Sequence, residues 1–513
     1  MAEDAFPFQT YLTDRRLRTF VQWFAYVLIY ICIYGLTIFR FGMDWDEVNC
    51  FGLPANVEYL LNGRWALYLY RVVMGGGTLP FAGGLVAGFY MAAALVLQTR
   101  LLRIERLWQK MVYGVMYMGC LQWVFQLRYS VQSDAVALGF LLLSAAALLL
   151  ARPTAPRVCA AVAAIACSLG FYQSLGLCWV ALVAAYTAAF ILQNRSFPAR
   201  RWWLCTGAAT VAAIVLCFTF AGLAQAWADA PAEYKADMAR SVTNRYPQWV
   251  YQAHGIKEQV VAFLHYAIKA PLDLFFNGNI QYHNHWVCFT AFIPIACVIR
   301  HAWSRLDWIQ AAAVSVLALA LPFLPYETLR YFPSRVYVAE PLALACSWGL
   351  LLTVWPARPL PFWRRAILLL AGFVMLKSMY RAALMARDEA YYFQQGLVEL
   401  QNMHERGRQA AMQNGLKDCP IVLFGAAERP DGDLYSMEQN GRFPDSALPE
   451  FNFFGASNYA KYMRYRNLRQ AAKGEEKQYS KALNEMPCWP ADDSIRVDQG
   501  TVIIKINEIP NND

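Results

Sequence analysis

Charge is scarce in this chain. Only 16% of its 513 residues are Asp, Glu, Lys or Arg, and 58% are hydrophobic, whereas an ordinary soluble protein is about 25% charged. That shortage argues against a water-soluble globular protein and for a membrane protein of many spans. Metal and redox motifs are missing too. The thirteen cysteines include no C-x-x-C pair, and most stand singly in apolar runs, such as Cys159, Cys167, Cys178, Cys205 and Cys217, where they act as small buried hydrophobes. No G-x-S-x-G, Walker or Rossmann pattern stands in a suitable context, which argues against a nucleotide site. No small-residue cleavage site follows the first apolar run, so no cleavable signal peptide is expected. No repeat of 20–50 residues is evident.

What is present is long apolar sequence. Crossing the hydrocarbon core takes roughly 20 apolar residues per helix, and eleven segments approach that length. They lie near residues 20–39, 79–98, 109–127, 134–151, 157–173, 175–193, 203–225, 286–302, 308–325, 337–355 and 366–384. The mean hydropathy of +0.28, the 17 Trp and the 29 Tyr agree, because amphipathic rings collect at membrane interfaces.

The net charge of +9 is no nucleic-acid signature, since the cations fall in every second loop. Arg15, Arg16 and Arg18 are followed by Arg100, Arg103, Arg106 and Lys110, then Arg152 and Arg157, then Arg195, Arg200 and Arg201; the alternation continues through Arg300 and Arg305 to Arg358, Arg364 and Arg365. Short basic loops are cytoplasmic. The N-terminus is therefore expected inside, and the segments 40–78, 226–285 and 326–336 outside. Residues 1–386 are expected to form the transmembrane domain. Residues 387–513 are expected to be a small α+β domain on the outer face, with a helix ending at Gly415, a strand in CPIVLFG and a hairpin turning at Asp498, Gln499 and Gly500. Its two cysteines, Cys419 and Cys488, could pair in an oxidising compartment.

The outer segments hold the polar residues able to do chemistry. Asp44, Asp46 and Glu47 crowd the first, where partial desolvation makes a carboxylate a better general base; the structural alternative is a solvated loop. D-x-D is also a pattern for a divalent cation bridging phosphates, but it is too short to be specific. Arg64 in NGRW is either a helix-end anchor or a phosphate ligand, and Arg330 and Arg335 are candidates for a bidentate grip on a lipid phosphate. Gln132 and Asp134 open the fourth span, where Asp134 could also cap a helix. Tyr172 and Gln173 occupy a short outer turn. Asn277, Gln281, His283, Asn284 and His285 precede the eighth span and suit sugar hydroxyls; H-x-H lacks a third ligand for a metal. A transporter would carry ionisable groups within its spans, yet these are nearly charge-free apart from Lys377 and Arg381.

In order, Asp46-Glu47, LLNGRW, VQSDAVALGFLL and SLGFYQS resemble the bacterial membrane glucosyltransferase family that includes the serotype-converting O-antigen glucosyltransferases. The likeness covers roughly residues 20–350. It implies a GT-C-like polytopic helical enzyme of the bacterial inner membrane, taking a hexose, as glucose, from a polyprenyl-phosphate sugar and passing it to a glycan on the periplasmic face. By the same resemblance Asp46 is the base and Glu47 its partner, with Asp44 an extra carboxylate, and Arg335 holds the donor phosphate. No cofactor is required. The implied partners are the lipid-linked donor, the glycan acceptor, membrane lipid, a flippase and a polyprenyl-phosphate sugar synthase. An O-antigen polymerase or ligase and a lipid-linked sugar flippase are the rival readings.

Overall fold

The computed structural model describes residues 15–39, 57–75, 82–128, 132–229, 255, 257–258, 285–322, 338–355, 361–425, 463, 465–471 and 474–506. It divides into two compact units. Among the described residues, one covers 15–384 and the other 385–506.

The first unit is helical. Its described helices are α1 (Arg15–Phe39), α2 (Glu58–Leu61), α3 (Trp65–Val73), α4 (Ala82–Leu101), α5 (Leu107–Met118), α6 (Gln122–Arg128), α7 (Ser133–Leu150), α8 (Ala155–Phe171), α9 (Leu175–Asn194), α10 (Arg200–Trp227), α11 (His285–Arg305), α12 (Trp308–Ala320), α13 (Glu340–Val354) and the first part of α14 (Pro361–Gln413). Each of the eleven segments read from hydropathy overlaps one of them. Among the described residues, six helices are long and apolar enough to cross a membrane: Arg16–Phe39, Ala82–Leu101, Ser133–Leu150, Leu175–Asn194, Arg200–Trp227 and Phe362–Arg387. The chain is a mostly helical, polytopic membrane protein. Phe218 and Leu369 remain 70% and 74% exposed on α10 and α14, a cost in water that lipid removes.

α7 is central. Its sequence SDAVALGFLLLSAAALLL is apolar all round, so it buries against α4 on one side and α8 on another, and α8 in turn packs on α10. α1 lies against α4 and α5, with Tyr26, Tyr30 and Tyr34 stacked four residues apart on its buried side. Four-residue spacing repeats one helix face. Each tyrosine hydroxyl donates to backbone carbonyl oxygen: Tyr26 to Lys110, Tyr30 to Gly84, and Tyr34, whose single proton is shared, to Met118 and Cys120.

Two local differences from the sequence reading have physical causes. The segment 109–127 is a broken helix, interrupted between Met118 and Gln122. Unwound backbone inside a bundle needs partners; Tyr34 supplies them to two carbonyls, and the Ser378 hydroxyl donates to the third, that of Gly119, at 2.6 Å. Secondly, residues 57–75 of the expected outer loop are folded into α2 and α3, because WALYLYRVV is apolar enough to pack on α8 and α10.

The second unit contains the end of α14 and a four-stranded sheet of β1 (Ile421–Phe424), β2 (Leu468–Gln470), β3 (Ile495–Asp498) and β4 (Thr501–Lys505), in the order β2-β1-β4-β3. β1 runs parallel to both neighbours, and β3 is antiparallel to β4. Strand alternation separates two layers. Ile421, Leu423, Val502 and Ile504 pack with Leu400 and Met403 of α14, whereas Val422, Phe424 and Ile503 pack with Leu483 and Met486 of and beside α15 (Ser480–Glu485). The β3–β4 turn has Gln499 and Gly500 both at positive φ, 47° and 75°, the signature of a type I′ hairpin. Cys419 is a buried free thiol and is not bonded to Cys488, so the considered disulfide is not formed.

Candidate active site

At one end of the first unit, the starts of α7 and α9 and the ends of α8 and α10 meet the α2–α3 turn. Gly63 makes this turn at φ +71°, a conformation that a side chain strains. It also brings the turn against Gln173, whose amide donates to the Asn62 carbonyl at 2.9 Å, and against Gln225, which donates to the Leu61 carbonyl at 3.0 Å. Close packing fixes α3 on α8: a Cβ on Gly170 would stand 2.6 Å from Trp65.

So held, α3 carries one arginine at its N-cap, Arg64, and another in its last turn, Arg71, seven residues or about two turns later. Arg64 donates to the Gln132 side-chain carbonyl at 3.1 Å and lies 4.7 Å over the Tyr172 ring. A planar guanidinium favours such stacking. Arg71 makes a bidentate salt bridge with Asp134, both side chains being almost wholly buried. The Tyr70 hydroxyl donates to Asp134 at 3.1 Å, and the Ala135 amide donates to it at 2.8 Å. Tyr70 itself meets Phe171 edge-on.

These contacts give the two halves different capacities. Asp134 accepts four hydrogen bonds, which suits a pillar that orients Arg71 and the start of α7 and leaves it no lone pair to act as a base. Arg64, Tyr172 and Gln173 lie at the turn, with Gln173 exposed and Arg64 half-buried. A cation, an aromatic face and an amide together can grip an anionic or hydroxyl-rich group.

Of the residues singled out in the sequence, Arg64, Gln132, Asp134, Tyr172 and Gln173 are thus brought together. Asp44, Asp46, Glu47, His283, Arg330 and Arg335 lie outside the described residues, as does the side chain of His285, which opens α11. Arg71 was missed. Its signal was its two-turn spacing from Arg64 within an otherwise apolar helix.

An apolar bundle with an arginine-bearing polar cluster at one end defines a membrane protein equipped to hold a polar group at the lipid boundary. Residues 23–257 match the family model described as Glucosyl transferase GtrII, the serotype-converting glucosyltransferase family that the sequence motifs resemble. The matched stretch contains the whole cluster and the first acidic loop, and it supports glycosyl transfer as the activity. No curated protein and no solved structure matches the chain.

Proposed function

We propose that this protein is an inverting glycosyltransferase that moves a hexose, glucose by its family, from a polyprenyl-phosphate sugar to a surface glycan such as O-antigen on the periplasmic face of the inner membrane. The carrying observation is the convergence at one bundle end of Arg64, Gln132, Tyr172 and Gln173, with Arg64 eighteen residues beyond Asp46 in the sequence, in a stretch that matches a family of glucosyltransferases. The basic loops all fall at the opposite helix ends, which supports an outer placement for this end.

In this mechanism Asp46, oriented by Glu47 or Asp44, removes the proton from an acceptor hydroxyl. The hydroxyl oxygen attacks the anomeric carbon from the face opposite the phosphate, the carbon–oxygen bond to the phosphate breaks, and polyprenyl phosphate departs. Arginines, Arg64 at the cluster and Arg330 or Arg335 from the 326–336 loop, stabilise the charge developing on the leaving group. His283 and His285 are assigned to hydroxyls of the sugar or acceptor. The N-terminus is cytoplasmic and residues 387–513 are periplasmic.

Mass analysis of surface glycan with and without the gene tests the reaction class. A single hexose branch is expected; a changed chain length would point to a polymerase or ligase, and lost export to a flippase. Within the enzyme, Asp46→Asn is expected to abolish transfer while the protein still accumulates in the membrane, and retained transfer would remove Asp46 from its role. Arg64→Gln is expected to raise the donor KM about tenfold, about 1.4 kcal/mol, with Arg64→Lys in between because it keeps the charge without the planar stack. An unchanged donor KM in both would count against the phosphate assignment.

A further inference from the structure

The opposite end of the same bundle carries a second polar feature. α7 is 18 residues long, so its two ends stand about 27 Å apart. Around its far end lies a cavity of about 1250 Å³, lined by six cations, Arg18, Arg100, Arg103, Lys110, Arg152 and Arg157, and by one carboxylate, Glu105. Lys110 feels the like charges of Arg100 and Arg18 and the opposing charge of Glu105. Among the described residues, no carboxylate lies within ion-pair distance of Arg100, Arg103, Lys110, Arg152 or Arg157.

Several cations are fixed in place. The Arg100 guanidinium donates to the Thr19 hydroxyl at 2.8 Å, tying α4 to α1, and Arg157 donates to the Arg152 carbonyl at 3.1 Å across the α7–α8 turn. Arg103 projects from a turn at φ +55°. Six cations gathered about a single lining carboxylate leave an excess of positive charge, and a bound anion relieves the repulsion among them. The walls below the charged rim are apolar, formed by Leu97, Leu148 and Leu149 of the apolar helices α4 and α7. A cavity of this size exceeds the roughly 300–1,000 Å³ of small-molecule pockets, and a lone phosphate would leave its apolar wall bare. Charge above and hydrocarbon below is the pattern of an amphiphile.

We propose that this cavity is a binding site for an anionic phospholipid, whose phosphate sits among Arg100, Lys110 and Arg152 and whose acyl chains lie along Leu97, Leu148 and Leu149. The site is separate from the candidate active site and would couple the packing of α1, α4 and α7 to the lipid composition of the membrane.

The test uses the full-length protein in neutral detergent, titrated with phosphatidylglycerol or with phosphatidylcholine of the same chains and read by native mass spectrometry. Phosphatidylglycerol is expected to be retained at least tenfold more tightly. The double variant Lys110→Gln/Arg152→Gln is expected to weaken it about thirtyfold, from two lost surface cations, with phosphatidylcholine unaffected. Lys110→Arg/Arg152→Lys is expected to restore it, which keeps the test decisive if the neutral pair folds poorly. Equal retention of the two lipids by the wild-type protein overturns the proposal, as does wild-type phosphatidylglycerol retention in a folded Gln pair. A third arm adds millimolar inorganic phosphate: displacement of the lipid, with phosphate itself bound, identifies a free-phosphate site and also overturns it.

Discussion

A buried ion pair is a demand on its surroundings before it is a source of stability. Arg71 and Asp134 are both withdrawn from water, and the desolvation of two charges roughly cancels their attraction. Removing one partner is different, because the other is stranded. Arg71→Met is therefore expected to cost about 3–5 kcal/mol, and adding Asp134→Leu to recover most of it, read as unfolding midpoints in detergent. Additive losses would mean that the two residues are not one unit. The same pair shows why the site was only partly legible in sequence. Arg64 and Asp134 drew attention because they stand beside polar neighbours in NGRW and QSDA, whereas Arg71 lies in the last turn of the apolar helix WALYLYRVV and reads as an interfacial anchor. Only the approach of α3 to α7, 63 residues apart in sequence, reveals its partner.

For whole helices, closeness of approach separates glycines that no sequence pattern tells apart. A Cβ on Gly88 of α4 would collide with the Tyr30 ring of α1, whereas one on Gly207 of α10 would meet nothing. Gly88→Ala is expected to destabilise by about 1–3 kcal/mol through overpacking. Gly207→Ala should stabilise by about 0.5–1 kcal/mol, since it removes only the flexibility of glycine within a helix. Thermal unfolding of the two variants in detergent checks the opposite signs, and a shared sign would show that the α1–α4 contact yields. Helix existence was readable because runs of apolar residues are long and local. The break between α5 and α6 was not, since the one glycine in MYMGCLQW, Gly119, weakens a helix without ending it. It depends on hydroxyls brought by Tyr34 and Ser378, 84 and 259 residues away.

At the scale of the whole molecule, pH reaches the second unit through a buried histidine. The spans of the bundle are nearly free of charge apart from Lys377 and Arg381, while the second unit has a histidine in its core layer. His404 is buried, stacks on Tyr465 at 3.9 Å and shares a 3.1 Å hydrogen bond with Asn467. Asn467 in turn leads into the sheet, since its carbonyl accepts from the Ile421 amide at 2.8 Å. Burial pushes the His404 imidazole below its ordinary 6.5, with Arg408 acting in the same direction and the Asn467 bond and Glu405 opposing. The native state thus prefers the neutral ring, and the unfolded chain takes up a proton first as pH falls. Stability from this group is complete above about 6.5 and declines as pH drops toward the lowered native value. The exposed Glu485 carboxyl, held below its usual range by Arg496, stays ionised in that window and does not confuse the reading. Hydrogen exchange of the Ile421–Phe424 amides in the full-length protein, corrected for intrinsic rates, is therefore expected to show easier opening near about pH 5.5 than near about pH 7.5. His404→Gln, which keeps a donor for Asn467 and cannot titrate, should flatten that dependence. An unchanged pH response in the variant would move the switch to another group.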